Sequence, residues 1–345
     1  MRQEQSAGLQ RLRRRIVRVL SGAPLPIDGV FQRRRQALAA AQITVRVFYA
    51  VALFQVSNAE RLQSYWDATA IDPLWCVAWA RFTGPALAGS IVYAAAVLSA
   101  AACALVPAWT AARVAFALAM LQFGGLANSF GKINHEWHVL CVAAFLLCFL
   151  PAGNSASLRR STGRMQAYLL AVWSLLGAFF LAYTISGVLK VVVGLVQAAS
   201  LKPNAFSPSA LAYHVAKRLL QTGDTTPVAQ ILLRHPALGW PGNLLTLYLE
   251  TFALVAAFRP RLHRLWAMGL ILFHLGSGLV LGIGFYHHVL LLGVLGLASP
   301  FAPSTFDARA VLLDLPLFGD VARWLRAQHN SARSAGSVRE GLREQ

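Results

Sequence analysis

One amine stands apart in this sequence. Lys190 is the only charged residue between Ala167 and Ser200, and a cation inside so long an apolar run costs energy and marks a functional candidate. The chain has 27 arginines and four lysines, yet the residue at this position is a lysine. Arginine stays protonated in any protein environment, whereas a desolvated lysine lowers its pKa and can accept a proton. The other reading is a lysine near the outer end of its helix, its stem along apolar surface and its ammonium reaching the headgroups. Tyr183 and Ser186 precede it on the same helical face, placed either to orient the amine or to pack between helices.

Imidazoles form the second set. His135 and His138 lie in Asn134-His135-Glu136-Trp137-His138, spaced for one face of a helix. Such a side chain shuttles a proton, donates to a developing anion or binds metal. A metal centre would need further ligands, for which His287 and His288 are the nearest source, and none is expected. The alternative is a polar interface segment with Trp137 in the aromatic belt. Glu250 and His274 fall near mid-depth of their apolar segments, and Arg46 near mid-depth of the first. Ionisable groups there face the bundle interior and find partners. An Arg46–Glu250 or Glu250–His274 contact is therefore expected, as structural glue or as part of a site.

The elements that must carry these groups follow from composition. The 345 residues are 57% hydrophobic and 13% charged, with mean hydropathy +0.54. Soluble domains carry about 25% charged residues. Apolar runs suited to a hydrocarbon core of about 30 Å predict spans near 37–57, 86–106, 111–130, 137–151, 167–191, 243–258, 265–284 and 286–301. The expected fold is all-α, a polytopic membrane bundle of about eight helices. It divides into a basic amphipathic segment at 1–36, a transmembrane domain at 37–303 and a polar cytoplasmic tail at 304–345, with Ser331–Gln345 expected to be disordered. The long connection 192–242 has room for an interfacial helix at Ser209–Leu220.

A net charge of +18 in a soluble protein would suggest nucleic acid, but no basic and aromatic surface pattern accompanies it here, and nucleic-acid binding is excluded. Inner segments hold 22 of the 31 Lys and Arg residues and outer loops hold 7. That asymmetry places both termini in the cytoplasm, anchored by arginines on anionic lipid. Scarce lysine with abundant Ala, Leu and Arg points to a GC-rich bacterial gene, hence an integral plasma (inner) membrane protein. Cys76, Cys103, Cys141 and Cys148 form no CxxC pair, and the three inside apolar runs read as small hydrophobes. No cleavable signal peptide is expected.

Under this topology Lys190, His135, His138, His287 and His288 share the outer side, where apolar neighbours would hold a lipophilic ligand such as a quinone. From Arg46 to Phe301 the chain resembles the vitamin K-dependent gamma-carboxylase family, within the broader horizontally transferred transmembrane domain family. The resemblance rests on Arg46 in Val-Arg-Val-Phe, on Asn134-His135 followed by a helix ending in Leu150-Pro151, and on Tyr183-Thr-Ile-Ser-Gly187-Val-Leu-Lys190. Glu250, Phe273-His274 and Leu297-Ala-Ser-Pro300 extend it. Leu189 stands where the family has a second lysine, and the large domain that captures a propeptide in the animal enzymes is not expected.

The resemblance implies that Lys190 deprotonates reduced vitamin K or a related hydroquinone, with His135 assisting and Asn134 as its hydrogen-bonding neighbour. Tyr183, His274 and His287 would complete the cofactor site, with Arg46 and Glu250 as intramembrane polar supports. It further implies O₂ and CO₂ as cosubstrates: epoxidation of the quinol releases a strong base, a glutamyl γ-proton is removed, and CO₂ traps the carbanion. A neutral amine suits the first step because a phenolic proton has a pKa of about 10. A non-catalytic accessory protein in maturation or export of a secreted peptide, working with a partner membrane protein, is the alternative. A transporter ranks last, since paired broken helices are absent from the sequence pattern.

Overall fold

The computed structural model describes residues 34–59, 71–131, 137–200 and 204–325. The basic segment expected at 1–36 lies outside them except for its last residues, as does Ser331–Gln345. Every regular element among the described residues is a helix. In lipid a segment must close its own backbone hydrogen bonds, and an isolated span does so only as a helix.

Five of these helices are long and apolar enough to cross a membrane. They are α1 (Arg34–Ser57), α2 (Pro85–Leu105), α3 (Thr110–Ala127), α5 (Thr162–Ala199) and α10 (His263–Leu281). The other three expected spans are also helical but shorter or interrupted. These are α4 (His138–Cys148), the broken pair α8 (Trp240–Thr251) and α9 (Ala253–Ala257), and α11 (Tyr286–Leu292), which continues as a π-helix over Gly293–Leu297. The long connection contains α6 (Ala210–Thr222) and α7 (Pro227–Arg234), so the single interfacial helix expected there is followed by a second.

At 38 residues, α5 is about 57 Å long, well beyond a hydrocarbon core of about 30 Å. Its start is set by Ser161, whose side chain accepts from the Arg164 backbone amide. The expected end near residue 191 is overrun by a further apolar run through Ala199. Lys190 therefore projects from a continuous helix, not from a frayed end.

Two seams hold the helices together. In one, Arg113 is fully buried and donates to the Leu150 carbonyl at 2.8 Å and to Thr110 Oγ1 at 2.8 Å, tying the start of α3 to the end of α4. In the other, α5 lies on α8 and α9. Trp173 Nε1 donates to the Ala257 carbonyl at 3.0 Å, and Thr184 Oγ1 accepts from the Leu254 amide at 2.8 Å. The latter bond satisfies an amide left over where α8 breaks into α9, as buried backbone donors require. Gln55 Nε2 ties α1 to α11 by donating to the His287 carbonyl at 3.1 Å.

The described part of the segment expected as a polar tail is helical and docked. Arg259, 1% exposed, donates to the Asp314 carbonyl at 2.6 Å and pairs with Asp320 at 3.3 Å. Asp314 begins no free tail: it ends α12 (Ala308–Asp314) and also pairs with Arg261 at 3.3 Å. Tyr248 donates to the Pro316 carbonyl at 2.8 Å.

Candidate functional site

The site starts from a missing side chain. A Cβ built on Gly187 would lie 2.4 Å from the Thr251 amide nitrogen and 2.8 Å from the Glu250 Cβ. Only glycine lets α5 and α8 approach this closely. Lys190, one turn further on, then reaches across the seam. Its Nζ stands 2.7 Å from Glu250 Oε1 and 2.6 Å from Oε2. The Glu250 side chain is 4% exposed and that of Lys190 46%. The Lys190 ammonium also lies 6.0 Å from the centroid of the Phe273 ring, within cation–π range.

This pairing corrects two expectations. Neither Arg46–Glu250 nor Glu250–His274 forms, because the carboxylate is taken by Lys190, while Arg46 is exposed on α1. Lys190, read either as a desolvated amine or as one reaching the headgroups, is paired with a carboxylate and half exposed. Periodicity put Lys190 and Glu250 on inward faces of their helices, but it contained no distance between the helices.

Two turns below Lys190 on α5, about 10 Å away, lies a second polar group. Tyr183 Oη and His274 Nε2 are 2.6 Å apart, and both residues are buried. His274 Nδ1 is buried without a hydrogen-bond partner among the described residues. The ring of His288 is 5.3 Å from that of His274, and Phe179 stacks on His288 at 6.2 Å between centroids. Phe273, whose ring centroid lies 6.0 Å from Lys190 Nζ, packs on the His274 ring at 4.8 Å between centroids. The ion pair and the Tyr183–His274–His288 nest thus belong to one site. His288 entered the sequence reading only as an outer-face imidazole and a source of metal ligands.

The remaining predicted residues divide. His287 is buried, but its ring packs on Trp137 at 4.7 Å between centroids and its backbone on Gln55, on the side facing α1 and α4. Asn134 and His135 lie outside the described residues. Among the described residues no three metal-type side chains cluster.

A cavity of about 100 Å³ opens between α1, α4, α5 and α11, lined by Phe48, His138, Phe179, Ala182, Leu291 and Leu295 among others. Phe179 is shared between its wall and the His288 stack. On the other side α6 comes near the ion pair. Burial, then the charges of Lys190 and Lys217, lower the pKa of His214 below its ordinary value.

No protein family, curated protein or solved structure matches this chain.

Proposed function

We propose that this chain is a membrane enzyme performing acid–base chemistry on a lipophilic hydroquinone. In this reading it is vitamin K-dependent carboxylase-like, of the horizontally transferred transmembrane type. Eight helical segments span a bacterial plasma membrane, with both termini cytoplasmic and the site facing the outer side. The observation that supports it is the ion pair of Lys190 with buried Glu250 beside the Tyr183–His274 pair. The residues suit such a cofactor. Phe179 and Ala182 line an apolar cavity of about 100 Å³ that would take the end of a tail, and His274 keeps one buried nitrogen without a partner among the described residues.

The pair itself provides the proton acceptor. Transfer of one proton from Lys190 Nζ to Glu250 Oε2, 2.6 Å away, leaves an amine beside a carboxylic acid. The Glu250 side chain is 4% exposed and that of Lys190 46%, so the transfer relieves the burial of a carboxylate and leaves the amine in reach of a ligand. The amine then accepts a phenolic proton. Lys190 is again an ammonium, Glu250 holds the extra proton, and the cation remains beside the negative charge created. Tyr183 and His274 orient the other end of the site. A bound vitamin K-type hydroquinone would supply the O₂-dependent oxidation whose strong base permits CO₂ to be fixed on a glutamyl side chain of a peptide substrate.

The Gly187 contact favours a second reading. The ion pair can instead be an interhelical clasp in a non-catalytic accessory protein, working with a partner membrane protein in maturation or export of a secreted peptide. Proteoliposomes given reduced vitamin K, O₂, bicarbonate and a glutamyl peptide separate the two. Enzymatic function requires epoxide formation that falls at least about 100-fold in Lys190→Ala and Glu250→Gln, with both variants folded. Epoxidation absent in the wild type, or unchanged in folded Lys190→Ala, ends the enzymatic reading.

A further inference from the structure

The two helices of the connection 204–239 play no part in that chemistry, and their placement calls for a partner. One face is accounted for. Val215, Ala229 and Leu232 are buried together, against Val280 and Leu281 at the end of α10. Thr226 Oγ1 donates to the Val280 carbonyl at 3.4 Å, one residue before α10 ends. Trp240 Nε1 and Asn243 Nδ2 donate to the carbonyls of Phe206 and Ala205 at 2.9 and 2.7 Å. Phe206 in turn lies against Gly194, one turn beyond Lys190. These bonds hold α6 and α7 at the level where the spans end.

The opposite face is apolar and basic at once. On α6 one stripe runs Tyr213, Lys217, Leu220; on α7 and the turn after it, Val228, Ile231, Arg234 and Leu238 are exposed. Leu220 is 87% exposed, Leu238 63%, Tyr213 60% and Ile231 52%. Single exposed leucines need no explanation, but a contiguous set marks an interaction surface. The cations Lys217, Arg218 and Arg234 face one acid in this connection, Asp224. Val192 and Val196 of α5 and Leu279 of α10 are exposed as well.

We propose that α6 and α7 form an interfacial cap seated in the headgroup layer of the leaflet on the Lys190 side, with anionic phospholipid as its partner. Tyr213, Leu220, Ile231 and Leu238 enter the acyl boundary, while Lys217 and Arg234 snorkel to phosphates. Level, charge and mixed stripe agree on this occupant; a soluble acidic protein would satisfy the cations and leave the leucines wet. The assignment does not depend on the chemistry at Lys190.

Spin labels test it, at Leu220→Cys, Ile231→Cys and Asp224→Cys in full-length protein with its native cysteines replaced and its thermal unfolding unchanged. In nanodiscs of phosphatidylcholine with phosphatidylglycerol, the first two labels should favour oxygen over a water-soluble nickel chelate, and the Asp224 label the reverse. Native protein with Lys217→Gln and Arg234→Gln should retain less phosphatidylglycerol on purification, read by lipid mass spectrometry. Labels at 220 and 231 as chelate-accessible as that at 224 would overturn the cap. So would shielding from both reagents with dipolar coupling between copies, which assigns the face to a second chain. Unchanged phosphatidylglycerol retention removes anionic lipid as the partner.

Discussion

Gly187 and Glu250 touch so closely that a methyl group on the glycine would stand 2.8 Å from the Glu250 Cβ. The contact decides where the Lys190 amine goes, since a lysine one turn along a helix this near its neighbour can reach the carboxylate. Gly187→Ala should force α5 and α8 apart and cost about 1–3 kcal/mol, seen as a lower thermal midpoint in detergent. Gly177 on the same helix meets nothing within 4 Å, so Gly177→Ala should leave the midpoint unchanged or raise it.

The ion pair is asymmetric, and its two halves should fail differently. Lys190→Met strands a carboxylate whose side chain is 4% exposed, a loss of about 2–4 kcal/mol for a buried charge without its partner. Glu250→Gln releases a half-exposed ammonium that water or headgroups resolvate, at about 1 kcal/mol. The double variant should recover part of the first loss. A denaturation double-mutant cycle measures this; equal single losses with no coupling would show the pair to be energetically idle.

Tyr183→Phe removes the 2.6 Å bond to His274 Nε2. The imidazole then has neither nitrogen satisfied, since Nδ1 already has no partner among the described residues. A cost of about 1–2 kcal/mol follows from leaving a buried polar atom unmade. In ¹⁵N spectra of labelled histidine, the His274 resonances should move from one tautomer toward a mixture, while His263, held by Ser299 and the Ala257 carbonyl at 2.8 and 3.0 Å, stays in place.

Arg259 anchors the segment after Pro303. Its guanidinium spans the Asp314 carbonyl and the Asp320 carboxylate, a two-acceptor geometry a lysine cannot match. Arg259→Lys and Arg259→Met should both speed limited proteolysis between residues 304 and 325 at least about tenfold, a local opening of roughly 1.4 kcal/mol. Arg261→Ala, at a half-exposed side chain, should change the cleavage rate far less.

Much of this was legible in the residue string. Lys190, Glu250, Tyr183 and His274 were marked because ionisable and hydroxyl groups in apolar runs are costly and must face something. The same logic paired them wrongly, matching Glu250 to Arg46 or His274. It also left Gly187 as one letter of a motif, and gave His288 no place beside Tyr183 and His274. Periodicity gives the face of each helix but not the neighbour across it, and one expected span proved broken where Thr184 satisfies an amide that a straight α8 would have bonded itself.

Hydropathy and the scarcity of charge were enough to require a helical membrane protein, because lipid offers backbone groups no other partner. Which charge meets which was settled by the spacing between helices. That spacing depends on the sizes of side chains distant in sequence, above all on a glycine that contributes no side chain at all.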